Sequence, residues 1–493
     1  MKAFRLLVIT DVHYAPQGPD KGSRRCAMGL ELLHRAIEDA RLRGGFDAIA
    51  LLGDLLDDAS RGDALEAAEA IRATIRQAAG DCPLLVVPGN HDGDAGNMLR
   101  LLGRQAGLHR LGGYRFITFA DSYEAGDVCS RSLQDRREFQ QWAAPSEGPV
   151  VVLQHNPMNP VIECEYPYML TNRAAVMDDY SRFGVLLSIS GHYHPGQAPS
   201  EVGKVKYLTA PALCEPPFQY AMVTLTGRDV NVQTRSLAFD AVPPVVDYHT
   251  HTEFAYCGRD ITAAKVIERA GVFGLSGVCL TEHAPQLYCR SEDFWSAGHV
   301  LHPALWHSDE FSRMPEFRRR IVPLRSPYVK IGLEVELDGD GRLTIRDEDR
   351  DICDVLVGAV HWVHPGLKDV SDAQVTSEFM RIVEGLLSGG IDILAHPLRY
   401  FAATKRPEPV EIYAPLASAL AAAGVAAEIN YHILSPQPAF FAECVARGVK
   451  IAFGSDAHLT HEMSALGPHL ALLRDLAGRQ DVSDLLYVHR TRR

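Results

Sequence analysis

The sequence predicts two α/β domains in succession, on three observations. From residue 4 to about 240, short apolar runs alternate with amphipathic stretches and then give way to closely spaced strand-like segments. From residue 245 the alternation becomes strict, with seven buried runs separated mostly by helical patterns. Between the two regimes stands the stretch from Phe239 through Pro243 and Pro244, a linker, because proline neither continues a helix nor donates into a sheet. The expected boundaries are therefore 1–240 and 245–493, and 493 residues are long for a single core.

Composition narrows the class. With 46% hydrophobic and 23% charged residues the chain reads as an ordinary soluble globular protein. Its net charge of -13 disfavours wrapping a long nucleic acid or lying on an anionic membrane, both of which reward a basic surface. Small phosphates stay open, since bound cations can invert the field of an acidic site. The opening run up to Asp11 is too short for a signal segment and reads as a first strand. No stretch reaches eighteen uncharged apolar residues, so no membrane span is expected. The 10 cysteines are scattered without a C-x-x-C pair, which favours reduced thiols and a cytoplasmic location. Nothing in the pattern points to a particular oligomeric state.

In the first region 4–10, 46–53, 83–89, 148–154 and 184–190 read as buried strands, followed by shorter ones near 204–209, 220–226 and 230–236. A helix after the first strand carries Leu30, Leu33, Ile37 and Ala40 on one stripe. Each apolar strand empties into a polar cluster: Asp11 and His13; Gly53 and Asp54; Gly89, Asn90, His91 and Asp92; Gln154, His155 and Asn156; Gly191, His192 and His194. A single Asp or His after a strand is ordinarily a cap or loop residue. Five clusters in order are a different matter, because strand termini in such folds converge on one sheet edge where ligands bind. Nitrogen and carboxylate donors gathered there suit Mn, Fe, Zn or Co rather than an all-oxygen calcium cage.

The second region opens with Asp247, His249 and His251 directly after the double proline. Its buried runs are 245–249, 276–282, 329–335, 354–360, 391–396, 424–430 and 449–456, with helices expected at 261–271, 371–388, 410–423 and 436–447 and an irregular insertion at 284–327. Strands alternating with helices imply a parallel sheet, and seven can close into a barrel with its chemistry at the C-terminal strand ends. Those ends carry Glu282 and His283, Glu334, His361, His396, Glu428 and Asn430, and Asp456 and His458. The first set of donors is complete without these, so two centres are expected.

The series DVH, GDLLD, GNHD, QHNP and GHYH resembles the calcineurin-like metallophosphoesterases, nearest in spacing to the branch that cleaves cyclic nucleotides and glycerophosphodiesters (class III phosphodiesterases). The resemblance covers about 1–240 and implies an αββα sandwich with two divalent metals. It implies that Asp11, His13 and His194 hold one metal, that Asn90, His155 and His192 hold the other, and that Asp54 bridges both. His91 would stabilise the developing charge or protonate the leaving group, with Asp92 orienting it. Two cations about 3.5–4 Å apart can clamp the attacking and leaving oxygens of an in-line displacement at phosphorus. Where the family often shows H-H-P, this chain has His155-Asn156-Pro157 after Gln154, a change expected to touch substrate contacts.

The motifs DYHTHT, TEHA, GLEVEL, AVHW, LAHP and GSDAH resemble the PHP (polymerase and histidinol phosphatase) domain over about 245–480. That resemblance implies a distorted (β/α)7 barrel with two or three metals. One is held by His249, His251, Glu334 and Asp456 and a second by Glu334, His361 and His396. His283 and His458 belong to a third site, where the family's further His is replaced by Cys257, which reads equally as a metal thiolate or a packed free thiol. Asp247 and Glu282 would orient the histidines. Aromatics and histidines in 284–327 fit a substrate lid. Arg290, Arg325 and Arg399 are candidate phosphate clamps, although for any one of them a surface ion pair is the better reading. Arg318, Arg319 and Arg320 read as a solvated helix face, and His34, His109, His432 and His469 as background.

The expected function is a bifunctional metal-dependent phosphoesterase acting on a small phosphate ester, with a cyclic diester among the candidates. The first domain would open a diester to a monoester and the second would remove the remaining phosphate. The alternatives are end-processing of short nucleic acids, or one domain serving only as a regulatory module.

Overall fold

The structure is a computed structural model that describes residues 2–94, 98–99, 102, 106–144, 148–363 and 371–489. The chain divides into two compact units, Met1–Leu237 and Ala238–Arg493. Among the described residues no helix is long and apolar enough to cross a membrane.

The strands of the first unit, in chain order, begin with β1 (Phe4–Ile9), β2 (Ala48–Leu52), β3 (Leu84–Val87), β4 (Gly107–Leu111), β5 (Tyr114–Thr118), β6 (Ser122–Tyr123) and β7 (Cys129–Ser130). They continue with β8 (Val150–Leu153), β9 (Val185–Ser190), β10 (Gln197–Val202), β11 (Val205–Thr209), β12 (Gln219–Thr226) and β13 (Asp229–Ser236). Two mixed sheets result, in the orders β13-β12-β1-β2-β3 and β10-β11-β9-β8-β5-β4. The period-2 alternation of strands decides what faces what. Leu6 and Val8, Ala50 and Leu52, Tyr114 and Phe116, Val151 and Leu153, and Val223 and Leu225 pack together as the core between the sheets. On the second sheet the intervening positions Ile117, Val150, Val152 and Val185 instead pack with Phe139, Val176 and Tyr180 from the helices Leu133–Ala143 and Arg173–Arg182. Helices Gly29–Leu42 and Ala64–Ala79 pack on each other, the former also against β1, which completes an αββα sandwich.

Two expectations need correcting here. The buried stripe of the first helix is Leu32, Leu33, Ala36, Ile37 and Ala40, while Leu30 is only half-buried. The β4–β5 hairpin joins the expected strands although it offers no continuous apolar run, because His109, Arg110 and Arg115 interrupt its hydrophobicity. Arg115 is nevertheless buried: its guanidinium donates to the carbonyls of Trp142, Ala144 and Gly148, so the charge is solvated by backbone.

In the second unit seven strands close a parallel barrel: β14 (Val246–Thr250), β15 (Gly277–His283), β16 (Val329–Val335), β17 (Val355–Gly358), β18 (Ile393–Leu394), β19 (Ala426–Asn430) and β20 (Ile451–Gly454). Closure is made by Asp247 pairing with Phe453. All seven expected runs are strands, and helices Ala263–Val272, Asp372–Ser388, Tyr413–Ala423 and Pro438–Ala446 fill four of the gaps. The helix Asp372–Ser388 shows why. Val375, Phe379, Ile382, Val383 and Leu386 recur at helical spacing and are buried, and Ser371 caps the first turn in a reciprocal box with Gln374.

The insertion at 284–327, expected to be irregular, is instead a run of short helices: Ala284–Tyr288, Ser291–Trp295, Gly298–Leu301, Ala304–His307 and Met314–Arg320. Each has seven residues or fewer, too short to show a period in the sequence. On the last of them Arg318 pairs with Asp349 and Arg320 with Glu253 and Glu316.

Two candidate metal centres

In the first unit the loops after β1, β2, β3, β8 and β9 bring their polar clusters together. His13 Nε2 lies 3.2 Å from His194 Nε2, and Asp11 Oδ1 lies 3.5 Å from His194 Nε2. Beside them His155 Nε2 is 3.1 Å from His192 Nδ1 and 3.3 Å from Asp54 Oδ2. The same Asp54 oxygen is 3.6 Å from His13 Nε2, so one carboxylate stands between both sets. Asn90 presents a buried Oδ1 with no hydrogen-bond partner, and so do Asp11 Oδ1 and His192 Nε2.

Backbone conformation makes this convergence possible. Asp11, His13, Asp54 and His192 all adopt positive φ, between 45° and 67°, which L-residues avoid at a cost of about 1–2 kcal/mol each. Gly89 allows the third loop to approach, since a Cβ there would lie 2.2 Å from Asp54 Oδ1.

The residues fit divalent cations. Facing ring nitrogens repel unless a proton or a cation lies between them, and each unsatisfied buried polar atom costs about 1–3 kcal/mol. Burial pushes the Asp11 carboxyl up, but His194 and His155 outweigh it and hold it at about 2. Asp54 is likewise held well below the carboxylate range despite burial, by His155 and His13. Burial and the neighbouring His155 depress His192 to about 3, which leaves it neutral with a lone pair to donate.

Surrounding groups set the ring orientations. His155 Nδ1 faces the Leu52 carbonyl at 2.5 Å, and His194 Nδ1 faces Glu215 at 2.7 Å. His13 Nδ1 faces Asp57 at 3.6 Å and Arg24 at 3.4 Å. Asp57 sits within the GDLLD signal, whereas Glu215 had none.

The expectation for Asp92 is corrected. Its carboxylate accepts from the amides of Leu55, Leu56 and Gly89, so it braces the loops of Asp54 and Asn90 rather than the His91 ring. Burial and the Asp54 charge raise its carboxyl to about 7. The group that orients His91 is the Asp57 carbonyl, 2.6 Å from Nδ1. His91 comes within metal-ligand reach of His13 and Asp54, and buried Cys214 within reach of His13 and His194. Asn156, expected to meet substrate, instead accepts from the Tyr123 hydroxyl at 2.7 Å and donates to the Tyr168 carbonyl at 2.9 Å.

In the second unit the donors gather at the C-terminal strand ends. Glu334 is central: Oε2 lies 2.5 Å from His283 Nδ1 and 3.4 Å from His249 Nε2, and Oε1 lies 3.2 Å from His396 Nε2 and 3.4 Å from His361 Nε2. Asp456 Oδ1 is 3.0 Å from His251 Nε2 and 3.8 Å from His249 Nε2. His251, His283 and His458 form a further group within metal-ligand reach. Buried atoms without hydrogen-bond partners include His249 Nε2, His251 Nδ1 and Asp247 Oδ2. This set also fits cations, because Glu334 and Asp456 are held well below the carboxylate range despite burial. For Glu334 the responsible charges are His283 and His249; for Asp456 they are Arg399 and His249. His396 and Asp456 again adopt positive φ, and a Cβ at Gly454 would lie 1.8 Å from Glu428 Oε1.

Cys257 stands with Sγ 3.7 Å from His283 Nε2, and burial pushes its thiol up to about 12. Glu282 accepts from Thr252 N and lies 3.6 Å from His251 Nδ1, while Asp247 accepts from the amides of His249 and Ser455. The ring of His249 is oriented by Glu428, at 2.9 Å from Nδ1, and that carboxylate also accepts from His396 N. Glu336 does the same for His361. It lies two residues past Glu334, a spacing that puts both side chains on one face of an extended strand.

Arg399 reaches the centre and donates to Asp456 at 2.6 Å and Asn430 at 2.7 Å. Arg290 and Arg325 instead make the surface ion pairs expected of such residues. Arg290 stacks over the Phe311 ring near Glu292 and Glu310, and Arg325 pairs with Asp354, which precedes β17 and so lies at the opposite end of the barrel. His432, taken as background, stacks on His458 with ring centroids 4.6 Å apart.

Comparison with known families agrees with both halves. The calcineurin-like phosphoesterase family matches residues 4–196 and the PHP domain family matches 247–432, so Asp456 and His458 lie beyond the matched segment. No curated protein matches the chain. Among solved structures, partial similarity is found to a dimetal phosphatase from Danio rerio, at 19% identity and TM-score 0.37 over 47% of this chain and 98% of that one. Another, assigned as a histidinol phosphatase from Listeria monocytogenes, has 15% identity and TM-score 0.33 over 44% of this chain and 97% of that one. The chain joins a calcineurin-like phosphoesterase domain to a PHP domain and is a metal-dependent phosphoesterase.

Proposed function

We propose that the first domain hydrolyses a small phosphodiester to a monoester and that the PHP domain hydrolyses a phosphomonoester, two reactions that can follow one another. The observation that carries this reading is that each domain has its own converging set of buried donors without partners. Asp54 is the carboxylate shared in the first centre and Glu334 in the second.

Mn, Fe, Zn or Co bound there would neutralise phosphoryl charge and activate the attacking water. Asp11, His13 and His194 would hold one cation, and Asn90, His155 and His192 the other. In hydrolysis a bond forms from the water oxygen to phosphorus, and the bond from phosphorus to the leaving oxygen breaks. His91 is anchored through Nδ1 on the Asp57 carbonyl, so in its protonated form it can give the Nε2 proton to that leaving oxygen. In the second domain His249, His251 and Asp456 would hold one cation with Glu334, and His361 and His396 a second. His283 and His458 are the residues for a third. Arg399 keeps Asp456 aligned from the other side.

The 10 unpaired cysteines favour a reducing compartment, so we place the protein in the cytoplasm, acting on small phosphate esters rather than on membranes or long nucleic acids. The test assays Asp54→Ala and Glu334→Ala separately on diester and monoester panels, with metal content measured on the same samples. Each substitution should abolish one activity and spare the other. Loss of both activities in either variant refutes the division of labour.

A further inference from the structure

The loop that follows β1 carries two cations that the hydrolytic residues do not account for. Lys21 and Arg24 face each other across a two-residue hairpin, in which each backbone N–H donates to the other's carbonyl, at 3.3 and 3.1 Å. Gly22 makes so tight a turn possible, with φ at 62°. Like charges placed directly opposite one another destabilise such a pairing unless anions offset them. The anion at hand is the buried carboxylate of Asp57. Lys21 takes it, with Nζ 2.6 Å from Oδ2. The other oxygen lies 3.6 Å from His13 Nδ1 and 3.7 Å from Arg24 Nη1, and has no hydrogen-bond partner.

Arg24 is thereby left over. Its guanidinium meets His13 Nδ1 at 3.4 Å. A His13 that gives its Nε2 lone pair to a cation keeps its proton on Nδ1, so that nitrogen is a donor and offers the guanidinium nothing to bind. Among the described residues the Arg24 guanidinium reaches no carboxylate or carbonyl oxygen at hydrogen-bond distance, and its side chain is 27% exposed. The chain as a whole has a net charge of -13, so this surplus of positive charge is local. A guanidinium lacking an acceptor, one imidazole ring away from a centre for phosphate esters and open to solvent, is a receptor for an anion. Its planar fork matches paired phosphate or carboxylate oxygens. We propose that the first centre selects esters carrying a second anionic group, a phosphate or a carboxylate, which pairs with Arg24 while the reacting phosphate lies among the metal-binding residues. This inference rests on the phosphodiester reading of that centre.

The test uses the full-length protein in excess Mn and inhibition of its diester hydrolysis by propylphosphonate, 3-phosphonopropionate and propane-1,3-bisphosphonate, which differ in the group at the far end. The better of the two doubly anionic ligands should inhibit about tenfold more tightly than propylphosphonate. Whether that ligand is the bisphosphonate or the phosphonopropionate names the group as phosphate or carboxylate. Arg24→Gln should abolish the ratio while leaving inhibition by propylphosphonate unchanged. Arg24→Lys, which keeps the charge without the fork, should retain part of the ratio. Equal inhibition by all three ligands, or a ratio unchanged by Arg24→Gln, overturns the inference. If no diester is turned over, the phosphodiester reading fails. Calorimetric titration of the same three ligands into wild type and Arg24→Gln then decides the anion preference on its own.

Discussion

His299, carried on the segment between β15 and β16, places Nε2 3.1 Å from Glu336 Oε2, while the other oxygen of that carboxylate lies 2.9 Å from His361 Nδ1. The His299 ring is fully buried and stacks on Phe294 with an interplanar angle of 13°, and Phe294 in turn is 5.5 Å from His283. The inserted helices are thereby tied to the second centre through one acid. Groups that hold a metal-binding histidine in its tautomer and orientation are worth about 10–100-fold in metal affinity. Glu336→Gln should weaken metal binding by the PHP domain to that extent, measured by titration of the metal-free protein, while the Asp54 centre keeps its affinity. Unaltered affinity in both centres would show that Glu336 only packs.

Removing metal should destabilise the protein. Around Asp54 and Glu334 buried histidine nitrogens stand 3.3 Å and 3.2 Å from carboxylate oxygens, distances that a shared cation spans, and a ligand that binds only the folded state stabilises it by mass action. Chelation should lower the thermal unfolding temperature, and added Mn or Zn should restore it. With Asp54→Ala the restored increment should shrink, because only the PHP centre remains to be filled. An unfolding curve indifferent to chelator would contradict the assignment of these residues as ligands.

Arg131 and Asp121 form a buried ion pair in the interior of the first domain. Arg131 donates to both Asp121 oxygens, to the Tyr180 hydroxyl and to Gln154, the neighbour of His155, and its guanidinium lies 3.5 Å over the Phe119 ring. Breaking a buried pair by removing one partner leaves an uncompensated charge and costs about 3–5 kcal/mol. Arg131→Ala should therefore destabilise by that amount in denaturant titration. Arg131→Lys should recover only part of it, since an ammonium cannot reproduce the fork. A loss below about 1 kcal/mol in Arg131→Ala would refute this.

His469 gives a pH dependence separate from the ligand histidines. It is buried, with Nε2 3.0 Å from the Gly454 carbonyl, and burial depresses its pKa from 6.5 to about 4. The unfolded chain thus binds the proton more tightly. The stability due to neutral His469 is complete above pH 6.5 and is lost as the pH falls from there through 4, on the order of 3 kcal/mol in all. His469→Gln can keep a donor to Gly454 without titrating. Between pH 7 and 4 its unfolding free energy should fall less than that of wild type. Parallel curves would show that His469 does not contribute to acid sensitivity.

Much of this protein was legible in one dimension, because the information is local. Apolar runs of strand length, each ending in Asp, His, Asn or Glu, mark buried strands and their C-terminal ends, so the donors of both centres could be named by position. The seven-strand count did the same for the barrel. The short inserted helices and the Arg-bearing β4–β5 hairpin escaped, the first because seven residues or fewer hold no readable period, the second because its arginine is solvated by carbonyls distant in the chain.

What tertiary structure alone decided is which groups meet. His249 is oriented by Glu428 across 179 residues, a pairing made when the barrel closes, and His194 by Glu215, which no motif marks. The family resemblance implies that Asp92 orients His91, yet its carboxylate is spent on three backbone amides. The left-handed backbone at Asp11, His13, Asp54, His192, His396 and Asp456 is likewise invisible in residue type, since such conformations persist only when surrounding contacts over-determine them. Side-chain chemistry and periodicity travel with the chain; orientation belongs to the packing that brings distant segments together.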